Sequence, residues 1–524
     1  MNQTARRELM SWMAQPRRAD LWRRLRSLDW RGITAFGLPF MLYLCTLAPT
    51  IYNLDSAELT TAAATGGITR ATGYPTYLIL GRLWSMIPIG DVGYRMNLFS
   101  AFNGALSIAL ADRILRRLDV GPWAAFGALG LLACAPYFWA LSLIAEVYTL
   151  QTSLMAGLIL LLMRWVDHPS AGRLALAGLV GGLSLGHHAM TVLLIPGCVW
   201  YAVTVAPRRV VAPRTLLATL AAGIAGFSVY LYLPLRYASA PAFNYAGLYD
   251  ATGTFRPIDL QSVDGLWWLI SGRSFAGLML AYSGPAVWHE VRQYGVYLWQ
   301  AFFAIGVGPG LLGMVMLMRR DWRLGGMLLL MFVCSAGFYV DYRVIDKQTM
   351  YLPTYLIWAV WLGIGYQQLL AWMQAPGPEL SSRWSAALVQ GALAGAVLLA
   401  MMWNWRLVDL SHDWSTRARG EAMLRAAGPH ALIFGWWQTV PAIQYLQLVE
   451  GRRPDVQAIN RFLIPAPDMH RMILHEISRR PIYVDSVPPD LAQSVTARPA
   501  GLLYQLCPPS SSQQVSGKGV VGCR

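Results

Sequence analysis

The sequence predicts a mainly α, polytopic membrane protein of about 11 transmembrane helices that ends in a small α/β extracytoplasmic domain. Three observations predict it. Hydrophobic residues make up 56% of the 524 residues and charged residues only 13%, about half of the ~25% usual in soluble globular domains. The missing charge coincides with long apolar runs. The arginines gather in short tracts between those runs, and Lys347 and Lys518 are the only lysines. A formal net charge of +15 therefore reads as the positive-inside pattern of a membrane protein. A nucleic-acid binder would collect its cations on one soluble face with interleaved aromatics, and no such domain is visible, so no nucleic-acid partner is expected.

The first 31 residues carry eight arginines and are read as a cytoplasmic basic segment. Within it Leu9–Trp30 is either an interfacial helix on anionic lipid or a solvated tail. The apolar run Ile33–Tyr52 is long enough to span and has no small-residue cleavage site before Asn53, so it is the first membrane helix. Further spans are expected at Met96–Leu115, Trp123–Leu143, Tyr148–Val166, Leu174–Gly186, Met190–Val205, Leu216–Leu233, Val296–Met318, Leu324–Val340, Tyr351–Trp372 and Ser385–Trp403. Leu174–Gly186 is short, which leaves it tilted, broken or extended through the histidines that follow.

Tyr74–Ile89 is apolar as well, and charge decides its place. Left in the outer interface, it puts Arg113, Arg116 and Arg117, then Arg164 and Arg173, then Arg208, Arg209 and Arg214, then Arg319, Arg320 and Arg323, and finally Arg383 on the inner side. Counted as a span, it would reverse those clusters against the charge rule. The transmembrane domain thus covers 32–405, with long outer loops at 53–95 and 234–295. Residues 406–507 form the outer domain, with strands at Ala431–Trp436, Val456–Asn460, Ile482–Asp485 and Leu502–Leu506 and a helix at Asp468–Arg479. The Ser, Gln, Gly and Pro of 508–524 read as disordered. Cys45, Cys134, Cys198 and Cys334 fall in apolar segments as small buried thiols. Cys507 and Cys523 could pair if the tail is extracytoplasmic.

Acidic residues are scarce, so their gathering at the outer ends of spans carries the most information. Asp55 and Glu58, three apart in N-L-D-S-A-E-L, share one face if a helix starts there. Spacing alone favours the plainer reading, in which Asp55 caps that helix and Glu58 complements its dipole. Glu146, His187, His188, Arg236, Arg273, Asp346 and Lys347 fall at the same level. Singly these are helix caps, helix-end hydrogen bonders or snorkelling side chains. Together they describe a cleft with carboxylates for base or metal work and cations for a phosphate. Tandem histidines point to opposite sides of a helix, so one metal shared by both is not expected. Cys-x-x-Cys, Gly-x-Ser-x-Gly and a phosphate-cradling glycine loop in suitable context are all missing, which argues against several soluble enzyme classes.

These motifs also carry a family resemblance. The run A-P-T-I-Y-N-L-D-S-A-E-L through T-G-Y-P-T-Y resembles the opening of the transmembrane protein O-mannosyltransferase-like family, whose pattern is W-D-S-G-E-F and then H-P-P-G-Y-P-L-Y. N-L-F-S-A, A-E-V-Y-T, G-L-S-L-G-H-H, Y-L-P-L-R, and Y-R-V-I-D before Y-L-P-T-Y follow in order, as does Y-L-Q-L-V-E-G-R-R-P-D-V-Q-A-I-N in the tail. The resemblance covers about residues 35–507 and implies a GT-C type glycosyltransferase that takes a sugar from a polyprenyl-phosphate carrier at the outer face. Asp55 then corresponds to the catalytic carboxylate and Glu58 to its acidic neighbour. Arg70-Ala71-Thr72 stands where His-Pro-Pro is expected, which removes the family's histidine and points to a different donor or acceptor.

The expectation is an inverting transfer with Asp55 as general base. Leaving-phosphate charge would fall to Arg236 first, then Arg273 and Arg70, with His188 as a further donor. The substrate-binding set is Arg70, Tyr74, Glu146, Tyr148, His187, His188, Arg236, Arg273 and Asp346. No cofactor is certain; a divalent metal on Asp55 and Glu58 is compatible but not required. The partners are membrane lipid, a polyprenyl-phosphate-linked sugar, mannose or another hexose, and a protein or glycan acceptor. The rivals are a multi-span transporter or flippase of a lipid-linked saccharide and a non-catalytic scaffold. Against the transporter, neither inverted repeats nor clear midplane charges are visible. The near absence of lysine suggests a GC-rich genome and hence a bacterial inner membrane.

Overall fold

The computed structural model describes residues 29–53, 55–373 and 379–509. The expectations for the basic segment before Asp29, for the disordered tail from residue 510 onward with Cys523, and for the side chain of Arg383 lie outside the described residues. Cys507 is disulfide-bonded, and the four cysteines of the apolar segments are free thiols.

Six helices among the described residues are long and apolar enough to cross a membrane, including Val92–Arg117, Tyr148–Asp167, Trp322–Val340 and Leu352–Met373. Each expected span contains helix, but the first ends at Thr46, short of Tyr52, and several are interrupted for local causes. Trp123–Leu143 divides into Pro122–Ala133 and Pro136–Leu141, because Pro136 disfavours helical backbone in the residue before it. Val296–Met318 divides too: Pro285–Ala301 ends and Val307–Arg320 begins, with Phe303 and Ala304 both at positive φ between them. Two successive left-handed residues cannot continue a right-handed helix. Leu174–Gly186 resolves as Ala171–His187, extended to the first histidine. The apolar run at Tyr74–Ile89 forms only Pro75–Ser85, 11 residues and about 16 Å of helix, too short to span.

The helices pack in neighbouring pairs, Val92–Arg117 on Tyr148–Asp167 and on Trp30–Thr46, and Val307–Arg320 on Leu352–Met373. Ala171–His187 packs along Pro213–Phe227, where glycines face each other. A Cβ at Gly182 would stand 2.1 Å from the Gly223 carbonyl oxygen. Small residues let backbones approach where lipid offers no hydrophobic drive. At one end of the bundle Arg31 and Arg116 share the buried Asp112 at 2.8 and 2.9 Å.

The opposite end carries the C-terminal domain. Its sheet runs β4-β3-β5-β7-β6, with β3 (Leu432–Gly435), β4 (Gln457–Asn460) and β5 (Ile482–Val484) parallel and β6 (Thr496–Ala500) and β7 (Leu503–Cys507) closing it antiparallel. β6 is the strand that sequence patterning missed, an edge with mostly exposed residues. Alternation gives the sheet two buried faces. Leu432 and Phe434 join Ile459, Ile473 and Val484, whereas Ile433 joins Val440, Ile443 and Leu446 of the helix Val440–Leu448. That helix packs against Asp55–Thr65, the helix of the first long loop. Arg417 strengthens the junction, reaching Glu450 at 2.6 Å and Asp91 of the loop at 3.3 Å. A small hairpin, β1 (Gly247–Tyr249) and β2 (Phe255–Pro257), lies in the second long loop.

Candidate functional site

Asp55 and Glu58 lie in the first turn of the helix Asp55–Thr65, as their spacing predicts. Their carboxylates do not serve as a cap there. One oxygen of Asp55 accepts from Nη2 of Arg70, and the other accepts the indole N–H of Trp437 at 3.1 Å. Glu58 is buried beneath them and accepts the main-chain N–H of Arg70 at 3.2 Å, with its second oxygen 3.4 Å from Nη1 of the same arginine. Arg70 thus stands between two carboxylates with its guanidinium carbon over the Trp437 ring, 4.3 Å from the ring centre. Burial pushes the Glu58 carboxyl up to about 7; Arg70 pulls it back and Asp55 adds to the rise.

Further groups face the same cluster. Glu146 is buried, with Oε2 lacking a hydrogen-bond partner among the described residues. Burial raises its carboxyl well above the ordinary range, and the charges of Asp55 and Asp346 raise it further. Asp346 is shifted upward by burial and by Asp55. A buried carboxyl among other carboxylates favours its neutral form. Tyr74 precedes the helix Pro75–Ser85 with φ at 44°, a conformation that a bulky residue holds only when its surroundings impose it. Its ring lies 5.7 Å from that of His188, which in turn is 6.1 Å from Tyr148.

Not every expected residue joins this cluster. His187 is fully buried and its Nε2 bonds the Val147 carbonyl at 2.7 Å, which ties two helix ends together. Arg236 donates to the Gly66 carbonyl at 2.5 Å, beyond the far end of Asp55–Thr65. The arginine that reaches Asp55 is Arg70, not Arg236. Arg273 is exposed, one residue from Gly272, which lies against Thr72. Lys347 turns away to pair with Glu290 at 2.7 Å.

Among the described residues no group of three or more His, Cys, Asp or Glu side chains could hold a metal ion. With the Arg70 guanidinium between them, Asp55 and Glu58 already surround a cation, and their donor set does not fit a divalent ion in this arrangement.

Trp437 is the site residue that sequence reading passed over. It follows β3 and lies 382 positions from Asp55, so no local pattern connects them. The signal available was Trp437 directly after the strand expected at Ala431–Trp436, since side chains just beyond the carboxyl ends of parallel strands tend to face ligands.

A second feature lies among the helices. An apolar cavity of about 470 Å³ is lined by Leu158, Gly181, Leu185, Ile195, Cys198 and Phe227, among others. Leu185 and Thr191 on its lining flank His188 in sequence.

Residues 55–210 match the family model described as the Protein O-mannosyl-transferase TMEM260 N-terminal domain. Protein O-mannosyl-transferase TMEM260 of Mus musculus is 27% identical over 217 residues, 40% of this chain. The match spans 31% of the mouse protein, about a third of its length. The crystal structure of ArnT from Cupriavidus metallidurans bound to undecaprenyl phosphate superposes with a TM-score of 0.57 at 13% identity, over 90% of this chain and 97% of ArnT. The apo state of that protein gives 0.56 at 12% identity, with the same coverage. The chain therefore shares the fold of ArnT, and residues 55–210, where the motifs around Asp55 and Glu58 lie, are similar to the TMEM260 N-terminal domain.

Proposed function

We propose, taking that fold and that region as the premise, that the chain is an integral-membrane glycosyltransferase. It moves a sugar from a polyprenyl-phosphate-linked donor to an acceptor hydroxyl, with inversion and with Asp55 as the general base. The observation that carries this reading is Asp55 itself, an acid on the first turn of a loop helix, held at both oxygens by Arg70 and Trp437. A base needs its carboxylate ionised and fixed within ~3 Å of the proton it removes. Arg70 and Trp437 hold the two oxygens of Asp55 in a defined orientation.

In the transfer, the acceptor oxygen attacks the anomeric carbon as its proton passes to Asp55, and the bond from that carbon to the phosphate oxygen breaks. The electron pair leaves with the lipid phosphate, so charge grows where Arg70 can follow it. Guanidinium binds phosphate oxygens bidentately, and a cation already placed gives up little when the charge develops. Glu58 keeps Arg70 anchored through its backbone and its side chain. The apolar cavity, whose lining residues Leu185 and Thr191 flank His188 in sequence, suits a polyprenyl tail. ArnT, whose fold this chain shares, has been solved with undecaprenyl phosphate bound.

In the membrane, the arginine-rich end is cytoplasmic, and the Asp55 end with the C-terminal domain is outside. The host is a bacterial inner membrane and the acceptor a protein or glycan hydroxyl. Purified wild-type protein in proteoliposomes should consume undecaprenyl-phosphate-linked sugar with acceptor supplied only outside, and Asp55→Asn should abolish consumption without affecting insertion. Wild-type turnover in Asp55→Asn would refute the base assignment. Passage of intact donor across the bilayer without transfer would identify a flippase instead.

A further inference from the structure

We infer that Trp437 is a positioning residue through which the C-terminal domain sets the geometry of Asp55 and Arg70; this rests on the proposed transfer. Its place is fixed from the sheet upward. β3 lies between β4 and β5, and Trp436 and Trp437 follow its carboxyl end. The turn there is pinned by Asp485, which follows β5 and accepts from the Trp436 main-chain N–H at 2.6 Å and the Thr439 hydroxyl at 2.9 Å. The indole then packs edge to face between Tyr245 at 5.4 Å and Phe462 at 5.5 Å. It keeps only 9% of its surface exposed. A ring so held has one orientation.

That orientation uses two parts of the indole at once. Its N–H binds one oxygen of Asp55, and its face carries the Arg70 guanidinium. The two functions separate when donor arrives. The incoming phosphate competes with Asp55 for Arg70, and as Arg70 turns to it the second oxygen of Asp55 becomes free to take the acceptor proton. Trp437 then remains as the fixed donor that holds the carboxylate plane. Its N–H cannot follow the phosphate, because the ring is wedged between two aromatics, whereas the guanidinium can slide across the ring without losing the cation–π contact.

Phe and Leu at position 437 separate these functions in the full-length protein. Trp437→Phe keeps a face for Arg70 and loses the N–H; its kcat with undecaprenyl-phosphate-mannose should fall about ten- to a hundred-fold, as for a hydrogen bond to a charged group. Its KM for that donor should stay within about two-fold of wild type, and its thermal midpoint should fall only as far as one lost hydrogen bond and a small cavity require. Trp437→Leu loses both functions, and its donor KM should rise as well. An infrared carboxylate band, identified because Asp55→Asn deletes it, should shift in Trp437→Phe. Wild-type kcat in Trp437→Phe, or an unmoved Asp55 band, overturns the inference. If wild-type protein consumes no lipid-linked sugar, the transferase reading fails, while the infrared band still decides whether Trp437 holds Asp55.

Discussion

Glu58 accepts the main-chain N–H of Arg70 at 3.2 Å and stands 3.4 Å from the guanidinium of the same residue. One buried acid thus fixes both the path of the loop and the direction of its cation. The arrangement explains how an arginine can occupy the place of the histidine that the family pattern leads one to expect.

The first prediction concerns pH. Burial raises Glu58 from an ordinary 4.5 to about 7, so between those values the folded protein keeps a proton that the unfolded chain has released. The stability this contributes is complete below 4.5 and is lost as pH rises through about 7. Thermal unfolding in detergent, followed from about pH 5 to about pH 8, should show the midpoint falling with pH in wild type. Glu58→Gln should fall less over the same window. Parallel curves would mean that Glu58 does not titrate there.

Removing Arg70 should cost more than removing a surface cation. Arg70→Ala leaves Glu58 buried without its charge partner, and stranding one member of a buried pair costs about 3 kcal/mol. The double variant Arg70→Ala with Glu58→Gln should recover much of that loss in stability while remaining inactive. Equal instability of the single and double variants would count against the pair as the cause.

Two neighbouring glycines should respond in opposite ways. A Cβ at Gly182 would meet the Gly223 carbonyl oxygen at 2.1 Å, whereas nothing lies within 4 Å of one at Gly181. Gly182→Val should force the two helices apart and prevent stable expression, since overpacking costs about 1–3 kcal/mol even where neighbours can adjust. Gly181→Leu should fold and fill the apolar cavity. Its KM for the polyprenyl donor should rise about ten-fold, a loss of roughly 1.4 kcal/mol of binding. An unchanged KM would place the lipid tail elsewhere.

The junction between the bundle and the outer domain should loosen when Arg417 is removed. Arg417 binds both oxygens of Glu450, at 2.6 and 2.8 Å, and Asp91 of the loop at 3.3 Å. Arg417→Ala should lower stability by about 2 kcal/mol and speed limited proteolysis between the last long helix and β3. Because Trp437 reaches Asp55 from the same domain, donor turnover should fall in step with the cleavage rate.

What the sequence by itself determined is what local pattern can encode. Apolar runs and the arginines between them located the helices, and short strand-like runs located four of the five strands in the C-terminal sheet. The edge strand Thr496–Ala500 was lost because a mostly exposed, Pro-containing segment carries no alternating signal. Spacing also put Asp55 and Glu58 on one helical turn. Tertiary structure decided which charges meet. Arg70, Arg236 and Arg273 read alike along the chain, and only the loop's return past the helix Asp55–Thr65 brings Arg70 between the carboxylates. Trp437 was beyond reach for the same reason, since contacts between residues hundreds of positions apart are set by how the domains dock, and hydrophobic periodicity carries no record of that docking.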